Sequence, residues 1–248
     1  MSCAIVTGGG SGIGQAIATR LAKAGFNIAL VGRRAGPLEH QKKLIMALGR
    51  KALVITADVA DPATAAGIIS SAQATFGRID ALVNCAGYAG IGGVAECGVE
   101  EFQKIIAANL SSAYYLTHAL WPVLAAQHKA APVGDHRTDT GGVIVNISSW
   151  AARDPFAMLG IYAVAKAGIN MLTTVTAREG AAIGVRAFAV APAGVETGMF
   201  RSLLSPEQVP SNTILEPDDV AQVVEHCIAG CLHFSSGETI YLQRGAGR

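Results

Sequence analysis

Charge is what this sequence has least of. Only 15% of its 248 residues are Asp, Glu, Lys or Arg and the net charge is +1, so no broad basic surface is available to neutralise a phosphate backbone, and nucleic acid is not an expected partner. A small neutral or acidic ligand fits better. Paired cysteines are missing too. Cys3, Cys85, Cys97, Cys227 and Cys231 are odd in number and none stands in a Cys-x-x-Cys spacing, which removes the usual signature of zinc or thiol redox chemistry. Cys227 and Cys231, four apart on a predicted helix, read as packing residues rather than a metal site, and no metal is expected. No apolar run reaches the ~18 residues of a membrane span. A strand signal begins within three residues of Met1, leaving no room for a signal peptide. The expectation is a cytoplasmic protein in a reducing compartment with no membrane partner.

What the chain does have is apolar bulk, 51% of residues, enough for one large α/β domain spanning 1–248. Ala4-Ile5-Val6 reads as a short buried strand running into Thr7-Gly8-Gly9-Gly10-Ser11-Gly12-Ile13-Gly14, followed by a helical pattern through Ile17, Ala18, Leu21 and Ala22. Five glycines in seven residues between a strand and a helix let the backbone approach a pyrophosphate, whose charge the helix N-terminus stabilises. The spacing is Thr-Gly-x-x-x-Gly-x-Gly, not Gly-x-Gly-x-x-Gly. The second strand, Ile28 to Val31, ends at Gly32-Arg33-Arg34, where an NAD site usually places a carboxylate. Arg33, with Arg34, instead offers guanidinium donors suited to a 2′-phosphate, which points to NADP(H) with NAD(H) as the alternative. An ordinary basic loop at a strand end is the plainer reading.

Strands and helices then alternate: a helix from about Pro37 to Leu48, a strand Ala52 to Thr56, and a helix Pro62 to Phe76. Asp58 either accepts from an adenine amino group or caps the next helix, a part for which Asp61 is better placed. Strand Ala81 to Val83 leads into the small-residue turn Asn84-Cys85-Ala86-Gly87, at a strand end where ligands lie in open parallel sheets. A long helix from about Val99 to Gln127 follows, with Pro122 as a candidate break. Asn109, a poor helix former, is either tolerated there or supports a neighbouring site. Residues 128–141 read as a polar surface insertion.

Strand Val143 to Val145 ends at Asn146-Ile147-Ser148-Ser149, and thirteen residues later stands Tyr162-Ala163-Val164-Ala165-Lys166, opening a helix that runs to about Ile183. Four residues are one helical turn, so Tyr162 and Lys166 share a face. An unperturbed phenol ionises near pH ~10 and a neighbouring cation lowers that value. Bringing it near pH ~7 requires about 4 kcal/mol, within reach of one close ammonium and a cationic cofactor ring in a partly dry site. The expected pair is a proton donor and acceptor.

Taken together and in this order, the glycine turn, Asn84 to Gly87, Asn109, Ser149, Tyr162 and Lys166 make the chain resemble the short-chain dehydrogenase/reductase family over nearly its whole length. It looks most similar to 3-oxoacyl-carrier-protein reductases. The resemblance implies a doubly wound, Rossmann-type parallel sheet of seven strands with helices on both faces, and a homotetramer or homodimer built through two long helices. It makes Tyr162 the general acid in reduction and the base in oxidation, with Lys166 holding the nicotinamide ribose hydroxyls and depressing the phenol. Ser149, rather than Ser148, would bond the substrate carbonyl, and Asn109 would position a water linking Lys166 to solvent. Gly8, Ser11, Gly12, Ile13, Gly14, Arg33, Arg34, Asp58, Val59, Asn84, Ala86 and Gly87 would contact the cofactor, with Pro192, Val195 and Thr197 at its carboxamide. The sequence departs from the family pattern at Ala193, usually Gly, at Cys85, usually Asn, and at Arg244, in a stretch usually small or acidic that bears on the subunit contact.

Met199, Phe200, Leu203 and Leu204 would either cover an acyl or other hydrophobic carbonyl substrate or form an amphipathic helix lying on the domain. Trp150, Arg153 and Phe156 are candidate walls of the same cavity, Arg153 facing either an anionic group or solvent. The leading function is an NADP(H)-dependent oxidoreductase of carbonyls and secondary alcohols, with a 3-oxoacyl thioester as one candidate substrate. The alternatives are an NAD-dependent alcohol or sugar dehydrogenase and a nucleotide-sensing protein without turnover.

Overall fold

A computed structural model describes residues 2–131 and 140–245. Its strands are β1 (Cys3–Thr7), β2 (Asn27–Gly32), β3 (Ala52–Thr56), β4 (Ala81–Asn84), β5 (Gly142–Ile147), β6 (Val185–Pro192) and β7 (Thr239–Leu242). They form one sheet in the order β3-β2-β1-β4-β5-β6-β7, every pair parallel. The helices are α1 (Gly12–Lys23), α2 (Ala35–Ala47), α3 (Ala65–Phe76), α4 (Val99–Ile106), α5 (Ser112–Lys129), α6 (Gly160–Gly180), α7 (Gly198–Arg201) and α8 (Pro217–Ile228).

Strands covered on both faces must be apolar on both, so β1 and β5 lack polar alternation. Ala4, Val6, Val143 and Val145 face a core shared with Ile17 and Leu21 of α1, Leu38 of α2 and Val220 and Val224 of α8. Ile5 and Ile144 face the opposite core, with Ile68 of α3 and Leu116 and Leu120 of α5. The chain order reverses between β1 and β4, which lie side by side. The carboxyl ends diverge there and open a crevice.

The predicted helix Val99 to Gln127 is interrupted, though not at Pro122. Between α4 and α5 lies a π turn, Ala107–Ser111, with Asn109 buried inside it. Pro122 sits within α5 on its exposed side, where water can satisfy the carbonyl that loses its amide partner. The predicted insertion 128–141 is partly helix, since α5 reaches Lys129; residues 132–139 of that stretch lie outside the described residues.

A buried polar chain ties α6 to the sheet. Asn84 Nδ2 donates to Asn146 Oδ1 at 2.8 Å, Asn146 Nδ2 to Thr173 Oγ1 at 2.8 Å, and Thr173 Oγ1 to the Ile169 carbonyl at 2.8 Å. Asn146 and Thr173 are fully buried, so each link replaces water that cannot reach it. Thr173→Val keeps the side-chain shape but leaves the Asn146 amide without its acceptor. Urea unfolding is expected to show a loss of about 1–3 kcal/mol, whereas an unchanged midpoint would mean that the chain does not anchor α6.

Candidate active site

A cleft of about 1280 Å³ runs along the carboxyl ends of the strands. At one end the turn between β1 and α1 forms its floor. A side chain at Gly14 would place Cβ 2.3 Å from the Gly8 carbonyl oxygen, so only glycine allows this tight a turn into the helix. Ser11 is the N-cap of α1, yet its hydroxyl makes no capping bond, and the first turn of the helix carries no acidic residue. Free amides and a free hydroxyl at a positive helix end suit a pyrophosphate. Gly8, Ser11, Gly12, Ile13 and Gly14 all line the cleft, as do Arg33, Arg34, Asp58 and Val59. Arg33 and Arg34 are exposed at the end of β2, and Arg33 Nη1 lies 4.0 Å from Asp58 Oδ2. Asp58 Oδ1 accepts from the Ala60 amide at 3.0 Å, while Asp61 caps the following helical turn through the Ala63 amide at 2.9 Å.

The middle of the cleft is shaped by side chains beneath it. Thr7 Oγ1 accepts from the amides of Cys85 at 2.9 Å and Ala86 at 3.0 Å, a clamp not foreseen from sequence. Asn84 does not reach the cleft, for its amide is turned onto Asn146 under the sheet end. Asn109 holds Tyr88 from both sides: its Oδ1 accepts from the Tyr88 amide at 3.2 Å, and its Nδ2 donates to the Tyr88 carbonyl at 2.7 Å and to the Ile105 carbonyl at 2.9 Å. A Cβ at Gly87 would sit 2.8 Å from Asn109 Oδ1 and 3.7 Å from Lys166 Nζ, so the glycine is what lets strand end, π turn and lysine meet.

Ser149, Tyr162 and Lys166 come together at the end of β5. The Ser149 side chain lies close enough to the Tyr162 phenol to favour its ionised form. Ser149 Oγ also accepts from the Ala151 amide at 3.2 Å. Ser148 is turned away, its hydroxyl donating to the Lys166 carbonyl at 3.2 Å. Lys166, 5% exposed, places Nζ 5.5 Å from the centre of the Tyr162 ring and donates to the Ile147 carbonyl at 2.8 Å.

One expectation needs correction. Burial pushes the Tyr162 phenol up to about 12, against the opposing pull of the Ser149 side chain. Burial likewise brings the Lys166 ammonium down to about 8. In the protein alone desolvation disfavours the phenolate by more than its neighbours offset. Cys85, beside both, is a thiol raised to about 12 by burial, so it stays neutral.

At the far end the walls are apolar. Trp150, Phe156, Met199, Phe200, Leu203 and Leu204 all line the cleft, joined by Ile91, Met158, Val209 and Ile214, which the sequence did not single out. Met199 to Leu204 therefore cover the cleft instead of lying along the domain, and α7 is only four residues long. Arg201 clasps this cover through Glu196, with Nε to Oε1 at 2.7 Å, and through the Val209 carbonyl at 2.7 Å. The guanidinium holds the Glu196 carboxyl down to about 2. Arg153 does not line the cleft; it stacks against Trp150 and Tyr241, 5.7 and 5.5 Å from their ring centres. Pro192, Val195 and Thr197 border the cleft, and Thr197 caps α7 by accepting from the Phe200 amide at 3.2 Å. Of the departures from the family pattern, Ala193 donates its amide to Leu242 at 2.8 Å, and Arg244 reaches the Ile214 carbonyl of its own chain at 3.0 Å.

Residues 2–208 match the family model described as short chain dehydrogenase. The chain is 31% identical over 252 residues to 2-(S)-hydroxypropyl-CoM dehydrogenase 3 of Xanthobacter autotrophicus, covering 97% of this chain and 94% of that one. It is 30% identical over 247 residues to cyclohexanol dehydrogenase of an Acinetobacter species, covering 98% and 93%. Among solved structures, 3-ketoacyl-(acyl-carrier-protein) reductase from Brucella melitensis, complexed with NADH, superposes with a TM-score of 0.87 at 26% identity over 98% of this chain and 97% of that one. The protein belongs to the short-chain dehydrogenase family. It is an oxidoreductase acting on a carbonyl or alcohol carbon with a nicotinamide cofactor.

The raised phenol has a direct consequence. In ultraviolet titration without added nucleotide, wild type and Tyr162→Phe are expected to match up to the ordinary tyrosine value of 10 and to diverge only as pH rises toward about 12. A phenolate lost from the variant near neutrality would contradict the burial argument.

Proposed function

We propose that the chain is a single dinucleotide-binding and catalytic domain over 1–248 that reduces hydrophobic ketones, and oxidises the matching secondary alcohols, with a preference for NADP(H). The observation that carries this reading is the grouping of Ser149, Tyr162 and a buried Lys166, its Nζ 5.5 Å from the centre of the Tyr162 ring, in one cleft with the glycine turn and the apolar walls. A nicotinamide ring bound at that junction would supply or accept the hydride, and in its oxidised form a positive charge. Ser149 then holds the substrate oxygen as negative charge develops on it. Tyr162 delivers a proton to that oxygen from its hydroxyl, or removes one in the reverse direction. Lys166 is placed to hold ribose hydroxyls, and its buried charge together with a second cation would favour the phenolate against desolvation. Asn109, its side chain engaged with Tyr88 and Ile105, shapes the wall against which a water can link Lys166 to solvent.

The NADP(H) preference rests on the absence of a carboxylate at the end of β2 and on the exposed Arg33 and Arg34 beside the cleft. One observation favours NAD(H): Asp58 lies within 4.0 Å of Arg33 and offsets part of its charge. The apolar far end suits an acyl chain or an alicyclic ketone, and the relatives that act on 3-ketoacyl groups and on cyclohexanol support that range. A 3-oxoacyl thioester is therefore kept as one candidate substrate. Exposed Phe102 and Tyr114 along α4 and α5, with Val164, Met171 and Val175 along α6, support a homodimer or homotetramer that covers them. A cytoplasmic site of action follows from the supply of reduced nicotinamide nucleotides.

The test is NADPH consumption with a panel of cyclic, aryl and 3-oxoacyl ketones; turnover of none would refute the reading. Arg33→Ala is expected to weaken NADP(H) binding by about 10–100-fold, the worth of a charge-assisted contact, and to leave NAD(H) affinity nearly unchanged. Equal effects on both nucleotides would remove Arg33 from phosphate recognition.

A further inference from the structure

Among the described residues Met158 is the one non-glycine residue with positive φ, at 68°. That region is unfavourable for any side chain with a Cβ, because Cβ crowds the neighbouring backbone, and glycine would occupy it without strain. The conformation is held from outside. The Met158 carbonyl accepts the Gly92 amide at 2.8 Å, joining the loop after β4 to the loop that leads into α6. Two residues later α6 begins, and four residues later stands Tyr162. The side chain borders the apolar part of the cleft with Ile91 and Phe156, and it is 49% exposed, so it is not a core residue retained for packing.

A strained backbone persists only where surrounding structure over-determines it, and such positions cluster at binding sites. Here the backbone would be better served by glycine, so the methionine side chain itself must account for the strain. A flexible thioether fills irregular apolar space and adapts to a bound shape. Building on the ketone-reductase reading above, we propose that Met158 is a specificity-determining residue. Its side chain is held over the apolar end of the cleft by the left-handed backbone and the Gly92 clasp, where it contacts the part of the substrate remote from the carbonyl and favours compact ketones over bulky ones. A contact remote from the reacting carbonyl is made equally in the bound substrate and at the transition state.

Two variants separate the side chain from the backbone. Met158→Ala removes the contact and keeps the strain; Met158→Gly removes both. In both, KM for cyclohexanone is expected to rise about 10-fold, as for loss of an apolar contact in a substrate pocket, with kcat little changed, the pattern of lost uniform binding. Selectivity should shift in both toward a bulky ketone such as an aryl-substituted cyclohexanone. Met158→Gly should melt about 2 °C above Met158→Ala, reflecting relieved strain. If wild type turns over ketones and both variants keep its KM and selectivity, the specificity role is overturned while the reductase reading stands. Equal melting of the two variants would overturn the strained-backbone part. If wild type reduces no ketone, the reading of the cleft falls and this proposal with it, whatever the melting data show.

Discussion

A lysine held out of water beneath a tyrosine ring is the constraint on which the cleft is built. Lys166 retains its place because its ammonium donates a hydrogen bond to the Ile147 carbonyl and because Gly87, lacking a side chain, lets the loop after β4 close over it. Burial acts on both members of the pair in the same sense, disfavouring charge: the phenol is held neutral and the ammonium is brought nearer to losing its proton. A site so arranged has a proton to give before it has one to take. Additional positive charge beside the phenol is what would make it a base.

The fold supplies that constraint through connections that are themselves buried. The Asn84–Asn146–Thr173 chain locks the ends of β4 and β5 to α6, the helix that carries both Tyr162 and Lys166. The π turn at Ala107–Ser111 turns Asn109 inward to grip Tyr88. On the opposite wall Arg201 and Glu196 keep the apolar cover in place. Three separate polar clasps thus position an apolar cavity, each using groups that would be costly to leave unpaired.

Much of this was legible in the residues. Continuous apolar strands alternating with helical patterns announce a parallel sheet, and helical spacing places Tyr162 and Lys166 on one face. Local patterns could not show where side chains turn in three dimensions. Asn84 stands in a turn that looks ligand-facing, yet its amide points beneath the sheet, because that depends on Asn146, 62 residues away. Arg153 follows Ser149 closely, yet is drawn to Trp150 and Tyr241, the latter on β7. Pro122 looked like the helix break, whereas Asn109 marks it, since an exposed proline can rely on water. The phenol's shift in the protein alone is hidden for the same reason: proximity to an amine is visible in sequence, and desolvation is not.

The central claim is that Tyr162 donates the proton while the rest of the site binds without it. The most direct measurement pairs steady-state turnover of Tyr162→Phe with nucleotide binding followed by fluorescence. The account predicts that kcat/KM falls by at least about 100-fold, the usual range for losing a general acid, while NADPH affinity is nearly that of wild type. A variant that keeps wild-type turnover would contradict it.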